Sequence, residues 1–555
     1  MSTPTPPRRR LRHRIPKSLR QHWKLLAVFV VFVTVMATVF GSTRIRPYIT
    51  GDPTIIASEI TDNITGTVDL FDTSVTHELS IEISDAEYND MISTFQKSGD
   101  KKWVTADLTI DGTFVNDVSV RLKGNSTLMG VRGIDFADMI PEGIELPEGF
   151  ELPEGFDPAQ GPPGLEGMAQ ASADDPTSLP LLISFDENAD GRAYQGMTEI
   201  SVRPGSPVLN EAMALSLTAE TEQPTQRYAY TVYSINDSAT ATRLILEHPD
   251  DTYANTLFDS DGYLYKADAS SRFEYIDDDQ SSYADQFKQI NAADSGNLQP
   301  IINFLEWLDT ASDEEFDAHL GDWVDVDSFA RYLATQNLLV NGDDMSGPGQ
   351  NYYLWYDLET EKLTVISWDL NLAMQGDATA GPHDSVSVGP GGMGPGGMGP
   401  GAIGGGMPGG AGGDAAMGPP TEEGGTTAPP DGMPAPPGGT SPPAEAGPSG
   451  MGQQTGPEGQ PGGFPSGFPG GMQIGNNLKT RFLESDAFTA MYEDAYWDLF
   501  EQMYGSGRAL ELLDNLASTV PVTDGLPAES LQTSIDTMRS WIDERTTTLD
   551  NLRNG

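Results

Sequence analysis

Residues 375–475 set the first limit on what this chain can fold into. They are rich in Gly, Pro and Met and poor in large apolar residues. Such sequence cannot bury enough surface to offset the entropy of ordering it, so it predicts disorder. Apolar, periodic sequence stands on both sides. The core must therefore be assembled from two pieces, with the helical sequence from Asn477 onward packing back across the excursion. A smaller interruption, 131–177, holds three copies of a six-residue repeat starting at Pro141, Pro147 and Pro153. Three copies are too few for a solenoid, and the segment reads as an acidic, flexible insertion. About 400 residues remain, enough for one large core or two smaller ones.

Charge is distributed just as unevenly. The net charge is −51, from 31 basic and 82 acidic residues, yet residues 1–24 hold eight Lys or Arg and no acid. A surface as negative as the remainder repels nucleic acid and anionic lipid, so no nucleic-acid partner is expected. The chain has no Cys, which excludes disulfides, thiolate metal sites and Cys nucleophiles.

An uncharged apolar run, Leu25 to Phe40, follows the basic tail. As a helix it spans about 25 Å, slightly less than a bilayer core. The basic excess before it predicts a single-pass anchor in the cell membrane, with the N-terminus cytoplasmic and the bulk of the chain outside. A cleaved signal peptide fits less well, because Val39-Phe40-Gly41 lacks the small-x-small cleavage pattern. The chain thus divides into a basic tail (1–24), an anchor (25–41), a stalk (42–74), a folded domain (75–374) interrupted at 131–177, the Gly/Pro/Met-rich insertion (375–476) and a helical C-terminal part (477–555).

Within the folded domain, Ala106, Leu108 and Ile110 alternate with polar residues, and Val118, Val120 and Leu122 do so after Asp111-Gly112. That pattern predicts a hairpin in a twisted antiparallel sheet. Further strands are expected at 181–185, 199–202, 228–235, 243–247, 352–356 and 363–368. Helices are expected at 210–222, around Ile301, Phe304, Leu305 and Leu308, and after an Asp327 cap. Beyond Asn477, Phe482, Leu483, Phe488, Met491, Tyr492, Tyr496 and Leu499 form an apolar face.

The segment from Asn337 to Met374 carries the chemistry. Asp343 lies in a polar, Gly-rich loop after a helix, Asn351 opens an aromatic strand, and Asp369 ends a second apolar strand. Protein kinases use this order: the first Asp orients the acceptor hydroxyl, while the Asn and second Asp hold magnesium through hard oxygen ligands. Asp344 adjoins Asp343, so the first role is open between them. Asp186 to Gly191 resembles the start of a calcium loop but has Met197 at the twelfth position, and reads as a polar turn. The run Asp277-Asp278-Asp279 reads as solvated surface.

The motifs Asn341-Gly-Asp343, Asn351-Tyr-Tyr-Leu-Trp355 and Trp368-Asp369-Leu-Asn371 resemble those of the CotH kinase family, an atypical branch of the protein-kinase-like fold. Val120-Arg-Leu-Lys-Gly-Asn-Ser126, Glu211, Glu247 and Gly262-Tyr-Leu-Tyr-Lys266 fall in the family's order. The chain departs from the pattern at Asn371, where Asp is common, and at Ser184, where Lys is common. The resemblance implies an α+β, kinase-like fold with a mixed or antiparallel sheet half and a helical half, beside the N-terminal transmembrane helix. It implies Asp343 as the catalytic Asp, Asn351 and Asp369 as ligands of Mg (or Mn), and Lys123 with Glu211 as contacts for ATP. The implied reaction is transfer of the γ-phosphate to Ser or Thr of an exported or envelope protein. The alternative is a non-catalytic cell-surface binding or adhesion module that kept the fold.

Overall fold

The computed structural model describes residues 60–124, 126–128, 130–133, 171–292, 296–386 and 475–555. The expected anchor, most of the 131–177 insertion and residues 387–474 lie outside the described residues. Among the described residues, no helix is long and apolar enough to cross a membrane.

The first half is a closed barrel. Strands β2 (His77–Glu82), β3 (Val104–Ile110), β4 (Thr113–Leu122), β5 (Leu181–Ser184), β7 (Glu199–Val202), β9 (Ala241–Glu247) and β8 (Tyr228–Ile235) follow one another around it. A short β1 (Asp62–Ile64) pairs with β6 (Arg192–Tyr194) beside it. The sequence pattern predicts an antiparallel sheet; the barrel instead closes through a parallel pair, β2 with β8. Alternation reveals which face of a strand is buried but not its partner, and this pair joins strands about 150 residues apart in sequence. The β3–β4 hairpin turns through Asp111 (φ 48°) and Gly112 (φ 78°). Two successive positive φ values match the right-handed twist of the strands. Helix α1 (Asp85–Ser98) is capped by Ser84 and adds Met91, Ile92 and Phe95 to the barrel core.

The second half is a four-stranded antiparallel sheet with helices around it. The sheet order is β11 (Phe287–Gln289), β10 (Gly262–Ala267), β12 (Tyr352–Asp357) and β13 (Leu363–Ser367). Helix α2 (Leu209–Glu220) joins the halves. It packs with Tyr228, Tyr230, Leu244 and Leu246 in the helical core, while Ile245 belongs to the barrel core. Strand β9 is therefore buried on both faces, which removes the alternation expected of a half-exposed strand. A short helix, α3 (Tyr253–Leu257), precedes β10.

Helices α4 (Gln299–Thr310), α5 (Asp313–His319) and α6 (Val326–Leu338) build the helical core with the C-terminal segment. Ile301, Phe304, Leu305 and Leu308 of α4 are fully buried, as their spacing predicts. The cap of α6 is Asp325, not Asp327: the Asp325 side chain accepts from Ser328 N, and Asp327 lies in the first turn. The C-terminal helices are α7 (Asn477–Glu484), α8 (Asp486–Phe500), α9 (Arg508–Thr519) and α10 (Ala528–Asn554). Ser485 breaks the expected single face by capping α8. Phe482 stacks on Phe488 at 4.7 Å, whereas Leu483 is left exposed.

Residues 375–386 are held firmly despite their composition. Trp541 Nε1 donates to Gly376 O, and Tyr492 Oη to Pro382 O. Arg545, fully buried on α10, donates to the carbonyls of Asn337, Leu338, Ala378 and Ala380. These bonds come from the chain more than 100 residues later, so the local sequence carries no sign of them.

Candidate active site

The end of α6 leads into the loop that carries Asp343. Gln336 donates to Ser367 Oγ at the end of β13 (2.9 Å) and accepts from Asn341 Nδ2 (2.7 Å). Asn341 Oδ1 in turn accepts from Asp343 N (3.2 Å). This buried chain ties the loop to the strand that ends beside Asp369.

Asp343 Oδ1 accepts from Gly349 N (2.6 Å) and Oδ2 from Asn351 Nδ2 (2.9 Å). The loop closes this tightly because it is built from small residues. A Cβ on Gly347 would lie 2.4 Å from Asp343 Cα, and one on Gly349 2.6 Å from Asp343 Oδ2 and 2.7 Å from Asn351 Nδ2. Burial and the charges of Asp369 and Asp344 push the Asp343 carboxyl up to about 6, against the two hydrogen bonds that favour its ionised form.

Geometry separates the two adjacent acids. Asp344 Oδ1 accepts from Ser346 N and Oγ (2.9 and 2.8 Å), and Oδ2 is ion-paired to Lys479 on α7. Asp343 bonds to Asn351, and its titration responds to Asp369.

Asp369 sits in the left-handed region (φ 54°) between β13 and a short 3-10 turn. Arg203 donates Nη2 to Asp369 Oδ1 and Nε to Glu211 Oε2 (2.8 Å). Burial opposes ionisation of Asp369, but Arg203, Lys123 and Lys266 together hold its pKa below the ordinary carboxylate value. Burial pushes Glu211 up, and its Oε1 has no hydrogen-bond partner among the described residues. The partner of Glu211 is thus Arg203; Lys123 acts on it only through space.

Lys123 and Arg203 follow β4 and β7, whose ends meet at one rim through the registers Leu122↔Leu181 and Leu181↔Val202. Lys123 Nζ bonds Ser201 Oγ and lies 3.2 Å from His248 Nδ1 and 5.1 Å from the Trp368 ring centroid. Lys266 of β10 lies 5.2 Å from the same ring. Burial, then repulsion from Arg203 and Lys266, bring Lys123 down to about 7. Burial and the cations Lys123, Lys266, Arg121 and Lys288 keep His248 well below its ordinary value. Glu199, 3.5 Å from His248, is pushed up to about 7, chiefly by burial.

The result is a local reversal of charge. In a chain with 82 acids and 31 bases, Arg121, Lys123 and Arg203 at the barrel rim and Lys266 and Lys288 of β10 and β11 come close enough to alter the ionisation of shared neighbours. The expected residues Lys123, Glu211, Asp343, Asn351 and Asp369 all line this region. Sequence reasoning gave no role to Arg203, Lys266, Glu199 or His248. Arg203 could have been noticed as an isolated cation between a strand and a helix.

The donor set suits magnesium in kind: two carboxylates and an amide, all hard oxygen donors, with like-charge strain that a divalent cation would relieve. Among the described residues no cluster of three or more His, Cys, Asp or Glu forms a metal site. A magnesium site completed by phosphate oxygens does not need one.

Residues 183–398 match the family model described as CotH kinase protein. That segment contains Arg203, Glu211, Lys266, Asp343, Asn351 and Asp369, while Lys123 precedes it and the C-terminal helices follow it. No curated protein sequence matches the chain. The CotH match points to use of ATP and a divalent metal as properties of the family.

Proposed function

We propose that this site transfers the γ-phosphoryl group of ATP to a Ser or Thr hydroxyl of an exported or envelope protein, with Mg or Mn as cofactor. The reversal of charge carries the reading. A gathering of cations beside two carboxylates and an amide suits a polyanion on one side and a cation on the other. Lys123, Arg203 and Lys266 would hold phosphate oxygens. Asp369 and Asn351 would hold the metal, which when bound neutralises charge on the phosphates. Asp343, largely ionised above pH 6, would orient the acceptor hydroxyl and take its proton. Glu211 would fix Arg203. Catalysis is then mostly positioning and charge neutralisation. Placement outside the cytoplasm rests on the basic tail and the apolar run 25–41, with the protein held to the membrane by that run.

The Arg203–Asp369 ion pair favours a second reading, a non-catalytic surface module, because a guanidinium already occupies one oxygen of the metal-ligand candidate. One experiment decides. Full-length protein is incubated with γ-labelled ATP and Mg or Mn, beside Asp369→Ala, with nucleotide-induced thermal shifts recorded for both. Label on the wild type alone supports transfer. No label and no shift sinks it and leaves the binding module.

A further inference from the structure

We infer that Lys479, carried to the site by the C-terminal helices, is a positioning residue for the Asp343 loop. The inference rests on the phosphoryl-transfer reading for its kinetic consequence, though not for its geometry. Asp344 is the hub of that loop. Besides Ser346, its backbone carbonyl accepts from Gly347 N (3.0 Å) and Asn351 N (3.3 Å). Its side chain is only 3% exposed, so it is held by partners within the fold rather than by water. Lys479 Nζ is the cation paired with its Oδ2.

Helix α7 holds that ammonium in place from several directions. Asn476 caps the helix through Lys479 N (3.2 Å). Leu478 and Phe482 are buried, and Phe482 meets Phe329 of α6 edge-on at 5.0 Å. Arg481 donates to Leu308 O (2.7 Å) and Ala311 O (3.0 Å) at the end of α4, and its guanidinium lies 4.3 Å from the Phe316 ring centroid. Lys479 is 135 residues from Asp344 and lies beyond the CotH match. The loop's geometry therefore depends on the chain that returns after the Gly/Pro/Met-rich stretch.

Removing the ammonium would leave Asp343, Asp344 and Asp369 as neighbouring carboxylates. Asp344 Oδ2 would then lose the partner that pins this side chain in its buried place. A side chain free to turn would release Ser346 N and Oγ, and with them an anchor of the backbone whose Asp344 carbonyl holds Gly347 N and Asn351 N; Asn351 is what orients Asp343 Oδ2. The phosphate-side cations Lys123, Arg203 and Lys266 stand on other elements and keep their places.

The test uses full-length protein with Lys479→Met, Lys479→Arg, Asp344→Asn and the double variant Lys479→Met/Asp344→Asn. Lys479→Met should lower kcat about tenfold or more, the scale of a misplaced catalytic group, with KM for ATP changed less than about twofold. Lys479→Arg should retain most of the rate. The double variant should recover rate relative to Lys479→Met, because the neutral amide introduced by Asp344→Asn needs no cation. A merely structural lysine on α7 would give no such recovery. Hydrogen exchange at the amides of 346–351 should quicken in Lys479→Met while β2–β5 stay protected. That readout needs no turnover. A wild type that transfers no label overturns the proposed function, whereas unchanged exchange in the loop overturns this inference. Wild-type kcat in Lys479→Met, or a loss confined to KM, also overturns it. Should Lys479→Met fail to fold, the double variant and Lys479→Arg decide by the same measurements.

Discussion

The barrel and the helical half differ in what they bring to the site they share. Barrel strands supply cations at their rim: Arg121 within β4, Lys123 after it and Arg203 after β7. The helical half supplies Asp343 and Asn351 from the loop between α6 and β12, and Asp369 after β13. Each half has a hydrophobic core, and the two are joined where Tyr228, Tyr230, Leu244 and Leu246 of the barrel strands pack into the helical one. Contact between them is electrostatic at the site, through Arg203–Asp369, and apolar behind it, through α2. Under the proposed function, the barrel would supply most of the phosphate-binding cations, with Lys266 of β10 added from the other half, and the helical half would supply the metal ligands and the proton acceptor. This division also predicts which kinetic constant each half controls.

The largest effect should come from the helical side. Asp369→Ala should cut kcat by about 10²–10³-fold, the usual scale for removing one electrostatic stabiliser of a transition state. It should also raise the metal concentration needed for half-maximal rate, read by titrating Mg or Mn. If Asp369→Ala changed only the ATP requirement, the division between halves would break.

A smaller effect, of a different kind, is expected from the barrel. Lys123→Met should lower kcat/KM for ATP by about 10–100-fold, the worth of a hydrogen bond to a charged group, mainly through KM. The half-saturating metal concentration should stay near that of the wild type. Steady-state kinetics with ATP and metal varied independently would check both. A kcat loss as large as that of Asp369→Ala would show that Lys123 belongs to the catalytic side.

The two halves also differed in how far their sequences could be read. The β3–β4 hairpin is written locally, in strict alternation broken by Asp111-Gly112, and the structure follows it. Barrel closure is not, because β2 and β8 pair across a long stretch of chain with nothing local to mark the partner. In the helical half, Asp343, Asn351 and Asp369 lie within one short segment, so their meeting follows from a loop and one hairpin. Arg203 and Lys479 escaped notice for the opposite reason: each reaches a carboxylate more than 130 residues away, and even a cation as isolated as Arg203 does not mark its distant partner in the sequence. Composition also misjudged the first residues of the Gly/Pro/Met-rich stretch. Residues 375–386 look featureless, yet Arg545 and Trp541 satisfy their carbonyls from α10.

Small residues in the Asp343 loop offer a sharper probe of the helical side. Gly349→Ala would place a methyl group 2.6 Å from Asp343 Oδ2, between it and Asn351. Asp343 is held by two hydrogen bonds and cannot simply swing aside, so the loop should shift. The expected loss is about tenfold in kcat with little change in KM, since a displacement of under an ångström at the reacting centre costs less than the roughly hundredfold seen for a full one. Gly347→Ala meets the Asp343 backbone instead, and should cost stability of about 1–3 kcal/mol as well, as overpacking does. Thermal unfolding beside kinetics would separate the two.

The mildest test is pH, and it sets activity against stability within one residue. Asp343 titrates at about 6 in the fold and near 3.8 when unfolded. As proton acceptor it must be ionised, so the rate should fall to half its plateau near pH 6 and about tenfold per unit below that. Its contribution to stability runs the other way. Between pH 3.8 and 6 the folded state binds more protons than the unfolded state, so stability falls as pH rises through this window. Above pH 6 the buried carboxylate costs on the order of 2–3 kcal/mol, from about 1.4 kcal/mol per unit of raised pKa. Metal-free Asp343→Asn should therefore unfold at a higher temperature than the wild type at about pH 7, with a gap that closes toward about pH 4, while its transfer rate falls by about 10²-fold. The corresponding change at the barrel, Lys123→Met, also removes a group that burial makes costly to charge, but it should leave the acid limb of the rate profile near pH 6 in place. If that limb moved with Lys123 rather than with Asp343, proton acceptance would belong to the barrel and the assignment of the two halves would have to be exchanged.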